Sequence, residues 1–213
     1  MGLFSKSEAC PICGGEVKGL FNKKIGEKKT LCKTCSEQVS MNKELLKTAT
    51  PDYIKKHLDD RRKNAERYTA AHWDVEYTPL SLRAGVDLNG KLLYLREADL
   101  DDYDNPVVFS FDQITGYELY RMKKLVDSAD DPGETALASA MSVLGGIAKM
   151  AGKGNNNDYL RLCLTTTDPY WPSIELKFMN PDTELFGLGG SAKEMESLCQ
   201  VFKRIVRKEP VQI

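Results

Sequence analysis

No run of eighteen or more apolar residues occurs in the 213-residue chain, so the sequence offers no membrane span. Neither sign of charge dominates, since 30 Lys and Arg stand against 31 Asp and Glu; the chain as a whole is not the strongly basic type that coats nucleic acid. Histidine is scarce. His57 and His72 are the only two, and neither has an acid–base partner at a diagnostic spacing. Residues 187–193 are glycine-rich but lack the GK[ST] order of a phosphate loop. Asp99, Asp101, Asp102 and Asp104 lack the glycine and terminal glutamate of an EF-hand register. Residues 1–6 have neither the apolar core nor the cleavage site of a signal peptide, from which a cytoplasmic, reducing setting is expected.

Against these absences stands one specific pattern. Cys10, Cys13, Cys32 and Cys35 are spaced C-x2-C-x18-C-x2-C, the spacing of a four-thiolate zinc site. Four sulfurs close the coordination sphere of zinc, so one structural Zn2+ is expected, with no position for substrate. Gly14 and Gly15 follow the first pair where the chain must turn back under the metal. Residues 16–31 are expected to form a short hairpin carrying Val17, Leu20, Phe21, Ile25 and Leu31. That is too small an apolar set to hold forty residues without a staple. The second pair leads into Ser36-Glu37-Gln38-Val39, which reads as a first helical turn and favours a treble-clef-like ribbon. Cys163 and Cys199 fall in a strand pattern and a helix pattern and are expected to be buried thiols.

Charge is unevenly placed. Residues 1–70 hold 15 Lys and Arg against 9 Asp and Glu, net +6, and residues 71–213 hold 15 against 22, net −7. Lys23, Lys24, Lys28 and Lys29 crowd the metal hairpin and are the candidate contacts for nucleic acid.

Thr50-Pro51-Asp52 is a helix start, with a cap, proline at the first helical position and an acid in the first turn. The helix is expected to run to about residue 70, with Ile54, Leu58, Arg61, Ala65 and Tyr68 on a narrow stripe of a charged rod. From about residue 75 the period becomes that of strands. Residues 82–88 and 91–96 flank Asn89-Gly90, which predicts a type I′ hairpin turn. Residues 106–119 form one further strand pattern with a bend at Gly116, followed by residues 158–166 and 173–179. Ser191-Ala192-Lys193-Glu194 is a capping box that opens a final helix whose stripe is Met195, Leu198, Cys199, Phe202, Ile205 and Val206.

The expected fold class is α+β: a small zinc ribbon over 1–48, a linker helix over 49–72, and over 73–213 a pleckstrin-homology-like antiparallel barrel or sandwich capped by the C-terminal helix. An apolar Gly/Ala-rich insertion interrupts that last unit at 133–154. Leu137, Met141, Leu144 and Ile147 lie at helical spacing on its greasy side and are candidate contact residues.

The chain resembles a bacterial family of uncharacterised proteins in which an N-terminal zinc ribbon joins a pleckstrin-homology-like domain. The likeness is carried by Cys10-Pro11-Ile12-Cys13-Gly14-Gly15, by Cys32-Lys33-Thr34-Cys35, by the FSFDQITGYEL phrase at 109–119 and by the final helix. It implies a non-enzymatic binding or adaptor role and names no ligand. A protein partner or a second copy is the expected contact, with nucleic acid and a membrane surface as alternatives. No small-molecule substrate is identified. A phosphoinositide site is not expected, because the 87–91 loop sets a single Lys91 beside Asp87.

Overall fold

In the computed structural model the first helices are short. It describes residues 8–18, 22–79, 81–97, 100, 104–130, 159–179 and 191–212. Helices α1 (Lys33–Gln38) and α2 (Lys43–Thr48) precede the long α3 (Pro51–Ala70). Asn42 caps α2, its side chain accepting from the N–H groups of Glu44 and Leu45 at 2.9 and 3.4 Å. Thr50 caps α3 as expected, its hydroxyl accepting from the Tyr53 N–H at 3.3 Å.

Helix α3 buries Ile54, His57 and Arg61. Two polar side chains therefore share the stripe with one aliphatic. Its outward charges pair along the helix, Lys55 with Asp52 and Arg62 with Asp59, the arrangement of a solvated face, and Lys63 pairs with the half-buried Asp60.

Among the described residues eight strands follow, in two antiparallel sheets. The first has the order β1 (Val75–Tyr77), β2 (Arg83–Asp87), β3 (Leu92–Arg96), β4 (Val107–Ser110). The second contains β5 (Ile114–Arg121), β6 (Lys124–Ser128), β7 (Tyr159–Thr166) and β8 (Ser173–Met179) in the order β6-β5-β7-β8. Helix α4 (Ser191–Arg207) closes the chain. The expected α+β class is what the chain adopts.

Three local readings change. The 106–119 pattern is two strands in different sheets, broken by a 3-10 turn at Phe111–Gln113 where the Gln113 side chain accepts from the Ser110 N–H at 2.8 Å. Strand β6 carried too little alternation to be foreseen. The 87–92 connection is not type I′: four residues separate the paired Asp87 and Leu92, and the positive φ, 51°, falls on Lys91. Asp87 Oδ1 accepts from the Gly90 N–H at 2.7 Å, and this side-chain bond selects the longer loop. Gly90 is needed for closeness, since a Cβ there would stand 2.5 Å from the Asp87 carboxylate. Gly116 does mark a register shift against β7, as expected.

Between the sheets and α4 lie Leu93, Leu95, Phe109, Leu119, Leu160, Leu162, Leu176 and Phe178 with Met195, Leu198, Phe202 and Ile205. Tyr117 and Phe202 stack with ring centroids 5.7 Å apart. Burying the α4 face contributes on the order of 10 kcal/mol before chain entropy is subtracted. The same core continues without a gap into Cys10, Ile25, Leu31, Val39 and Met41 of the N-terminal part. Among the described residues no helix is long and apolar enough to cross a membrane.

Candidate metal centre and its junction

Two loops bring the cysteines together. After Cys10 the chain turns back so that the Gly14 N–H donates to the Cys10 carbonyl at 2.9 Å and the Cys10 N–H to the Gly15 carbonyl at 2.7 Å; Gly14 takes φ +74°. Cys32 stands at the N-cap of α1 and Cys35 in its first turn, so the second pair rides on a helix start. Of the hairpin expected over 16–31 the described residues show one isolated bridge, Lys24 with Thr30, while a second bridge, Ala9 with Glu16, closes the first cysteine loop.

The four sulfurs all lie within 4.8 Å of one another, and Cys13 Sγ and Cys32 Sγ are 3.6 Å apart. Bonds of about 2.3 Å to a tetrahedral zinc would set sulfurs about 3.8 Å apart, whereas a disulfide needs about 2 Å. The cluster therefore has the spacing of a shared ion and not of a bridge, and all six cysteines of the chain are free thiols. Cys10, Cys32 and Cys35 are buried and Cys13 is exposed.

Their acidities diverge. Burial pushes the Cys10 thiol up, but backbone N–H groups of Cys32, Cys13 and Ile12 aimed at its sulfur outweigh that and bring it down to about 6. Burial, then hydrogen bonds with the sulfurs of Cys32, Cys13 and Cys10, push the Cys35 thiol well up. One thiolate forms readily and the next is resisted, which is the electrostatic state of a site that wants a cation.

Residues 8–57 match a family model described as a domain of unknown function, DUF4428. No curated protein and no solved structure matches the chain. The matched segment takes in the four cysteines, α1, α2 and the first two turns of α3, and ends at His57.

The cysteine-bearing segment and α3 are joined to the second sheet through the turn between β7 and β8. The Asn42 N–H donates to the Tyr170 carbonyl at 2.9 Å, the Tyr53 hydroxyl to the Pro169 carbonyl at 2.8 Å, and the Tyr170 hydroxyl to Asp60 Oδ2 at 2.6 Å. Asp168 shapes that turn, its Oδ1 accepting from the N–H groups of Tyr170 and Trp171 at 2.8 and 3.0 Å. Helix α3 also covers the free edge of β4: Asn64 accepts from the Val108 N–H at 2.9 Å and donates to the Pro106 carbonyl at 2.8 Å. A cleft of about 260 Å³ lies here, with His57, Asp60, Arg61, Asp168 and Tyr170 in its wall.

His57 is 1% exposed, and its Nε2 accepts from the Ser40 N–H at 3.1 Å, which leaves the ring proton on Nδ1. The Tyr170 ring stands edge-on at 4.4 Å. Burial, then the charges of Arg61 and Lys23 against a smaller opposing effect of Asp60, pull the imidazole down to about 3, so it is neutral.

The four lysines are not one free patch. Lys23 donates its ammonium to the Val39 carbonyl at 2.6 Å, and Lys29 pairs with Glu27 at 2.5 Å. Lys24 and Lys28 are exposed. Leu137, Met141, Leu144 and Ile147 lie outside the described residues. Cys199 is fully buried, but Cys163 is half exposed, because the alternation that buries Leu162 and Leu164 turns its side chain outward.

Sequence reasoning missed Ser40, Asp168 and Tyr170 as junction residues. Asp168-Pro169 does signal a turn, but nothing local announces that Tyr170 reaches Asp60, 110 positions earlier.

Proposed function

We propose that the chain is a non-enzymatic adaptor in which residues 8–48 hold one structural zinc ion and the β-rich remainder, read as a pleckstrin-homology-like body, presents a surface to a macromolecular partner. The observation that carries this reading is the closed set of four sulfurs within 4.8 Å. A zinc ion so held has no coordination position left for water or substrate. Support also comes from the continuous core, which makes the metal a staple for the whole chain and not only for its own loop.

The pleckstrin-homology-like reading draws on the order of parts: antiparallel strands in two sheets, then a single amphipathic helix with its apolar face buried against them. Free thiols suit a reducing cytoplasm. The partner is a protein or a second copy, with 134–151 as the candidate contact. A nucleic-acid role has less behind it, because Lys23 and Lys29 are engaged within the metal module.

Two experiments test the proposal. Absorption spectra of the cobalt-substituted full chain are expected to show four thiolates and no exchangeable ligand, and an exchangeable ligand would overturn the structural role. Native pull-down and light scattering of the zinc-loaded protein, with and without 134–151, are expected to show a lost partner or a lower mass on deletion. Identical results for both forms would remove the interaction role from that segment.

A further inference from the structure

Among the described residues, the large apolar side chains that stand in solvent are Met122 and Leu125, at 41% and 46% exposure. Both belong to the β5–β6 hairpin. Met122 takes φ +54°, a conformation uncommon for a residue with a side chain, and residues 122–125 of the turn and the start of β6 are all exposed. Its N–H donates to the Tyr159 carbonyl at 2.8 Å, which ties the turn to the start of β7.

The pairing registers set the surroundings of this tip. Leu125 lies opposite Tyr120, Tyr120 opposite Arg161, and Arg161 opposite Lys177, so these four form one row across the outer face of the second sheet. The Arg161 guanidinium lies 4.5 Å over the Tyr120 ring, and the Lys177 ammonium 4.0 Å over the Tyr159 ring. Lys123 and Lys124 stand exposed in and beside the turn. Among the described residues, the acids of this face are one row further from the tip: Glu118 and Glu175 flank Cys163, Glu118 accepting from the Tyr120 hydroxyl at 2.9 Å and Glu175 pairing with Arg161 at 3.6 Å. This end of the sheet is therefore two apolar side chains on an exposed turn, two half-buried tyrosines and a rim of cations.

We infer that this end of the second sheet docks on a bilayer surface carrying anionic phospholipid. An exposed apolar turn flanked by lysines enters the interface between headgroups and acyl chains while the lysine stems lie along it and keep their ammonium groups among the phosphates. Tyrosines belong at that depth. The cations complement a negative leaflet, and the set-back acids are partnered within the sheet. A polyanion such as nucleic acid or an acidic protein would meet the same lysines and gain nothing from Met122 and Leu125. The inference goes beyond the adaptor reading and stands without it.

The test is co-sedimentation of the zinc-loaded full chain with phosphatidylcholine vesicles containing about 30 mol% phosphatidylserine, and with phosphatidylcholine alone, at about 0.1 M salt. Binding to the anionic vesicles and at least about tenfold less to the neutral ones is expected. Lys123→Gln with Lys124→Gln is expected to weaken binding about tenfold, and Met122→Ser with Leu125→Ser by a similar factor. Lys55→Gln with Lys56→Gln on α3 is expected to change it less than about twofold. An unchanged melting temperature separates lost docking from lost folding, and if either hairpin double variant fails to fold, the single Met122→Ser and Lys123→Gln changes give the same reading. Absence of binding to the anionic vesicles overturns the inference. So does a loss with the lysine pair that the apolar pair leaves untouched, which would assign the surface to a polyanionic protein or nucleic acid.

Discussion

Lys203 Nζ lies 2.6 Å from Asp127 Oδ1, and both side chains are sealed from solvent at 2% and 0% exposure. The Tyr117 hydroxyl donates to the other carboxylate oxygen at 3.0 Å. Burial, with the nearby Cys199 and Asp127, pushes that hydroxyl well above its ordinary range, so it stays a donor. Arg207 Nε donates to the Ala129 carbonyl at 2.7 Å one turn further along α4. These bonds clamp the closing helix to the end of β6.

Lys203→Met leaves a buried carboxylate with a tyrosine as its remaining partner here, and is expected to cost about 3–5 kcal/mol in urea unfolding. Replacing both partners, Lys203→Met with Asp127→Leu, is expected to cost less than the single change, because no uncompensated charge remains. A double variant as unstable as the sum of the singles would show that the two charges are not coupled.

Metal removal is expected to loosen more than the cysteine loops. Leu31, Val39 and Met41 belong to the same core as the sheets, and Asn42 is bonded directly to Tyr170. Stripping the metal with a chelator should release amide-exchange protection both in residues 8–48 and in the β7–β8 turn. Release confined to residues 8–48 would show that the junction holds by itself.

His57 makes stability depend on pH. Its folded-state value, about 3, lies below the ordinary 6.5, so below pH 6.5 the unfolded chain binds a proton that the folded chain refuses. Stability is full above pH 6.5 and falls as pH drops toward 3, at ~1.4 kcal/mol per unit, or about 2 kcal/mol between pH 6.5 and 5. His57→Gln keeps an acceptor for the Ser40 N–H and removes the titration. Its unfolding free energy should lose that slope relative to the parent over this window, and an equal slope in both proteins would discount His57 as the cause.

Gly26 is held by neighbours, not by its backbone angle. A Cβ there would stand 2.8 Å from the Thr48 carbonyl oxygen and 2.9 Å from that of Ala49, and its own N–H donates to Ala49 at 3.0 Å. Neither carbonyl can swing away without opening the end of α2, so Gly26→Ala is expected to cost about 1–3 kcal/mol in thermal unfolding. Gly14→Ala meets open space but a φ of +74°, and about 1 kcal/mol is expected from that strain alone.

The parts legible beforehand rest on neighbours in sequence. Cysteine spacing predicts which sulfurs can share an ion, Thr50-Pro51 predicts the start of α3, and alternation in Tyr159–Thr166 predicts which leucines face inward. Each depends on a period or cap a few residues long. The 87–92 turn shows where that logic fails: Asn89-Gly90 favours a two-residue loop, and one side-chain bond from Asp87 selects a longer one.

Arrangement across distance was decided by the assembled chain. Nothing near His57 marks it as a buried acceptor for Ser40, and Lys203 reads as one more cation on an amphipathic helix until Asp127 is brought beneath it. Nothing in the sequence around Met122 and Leu125 sets them apart, yet the β5–β6 turn leaves them in solvent. Burial and pairing of polar groups are set by partners up to 116 residues away, and the free energy that selects those partners exists only once the two sheets, α3 and α4 have met.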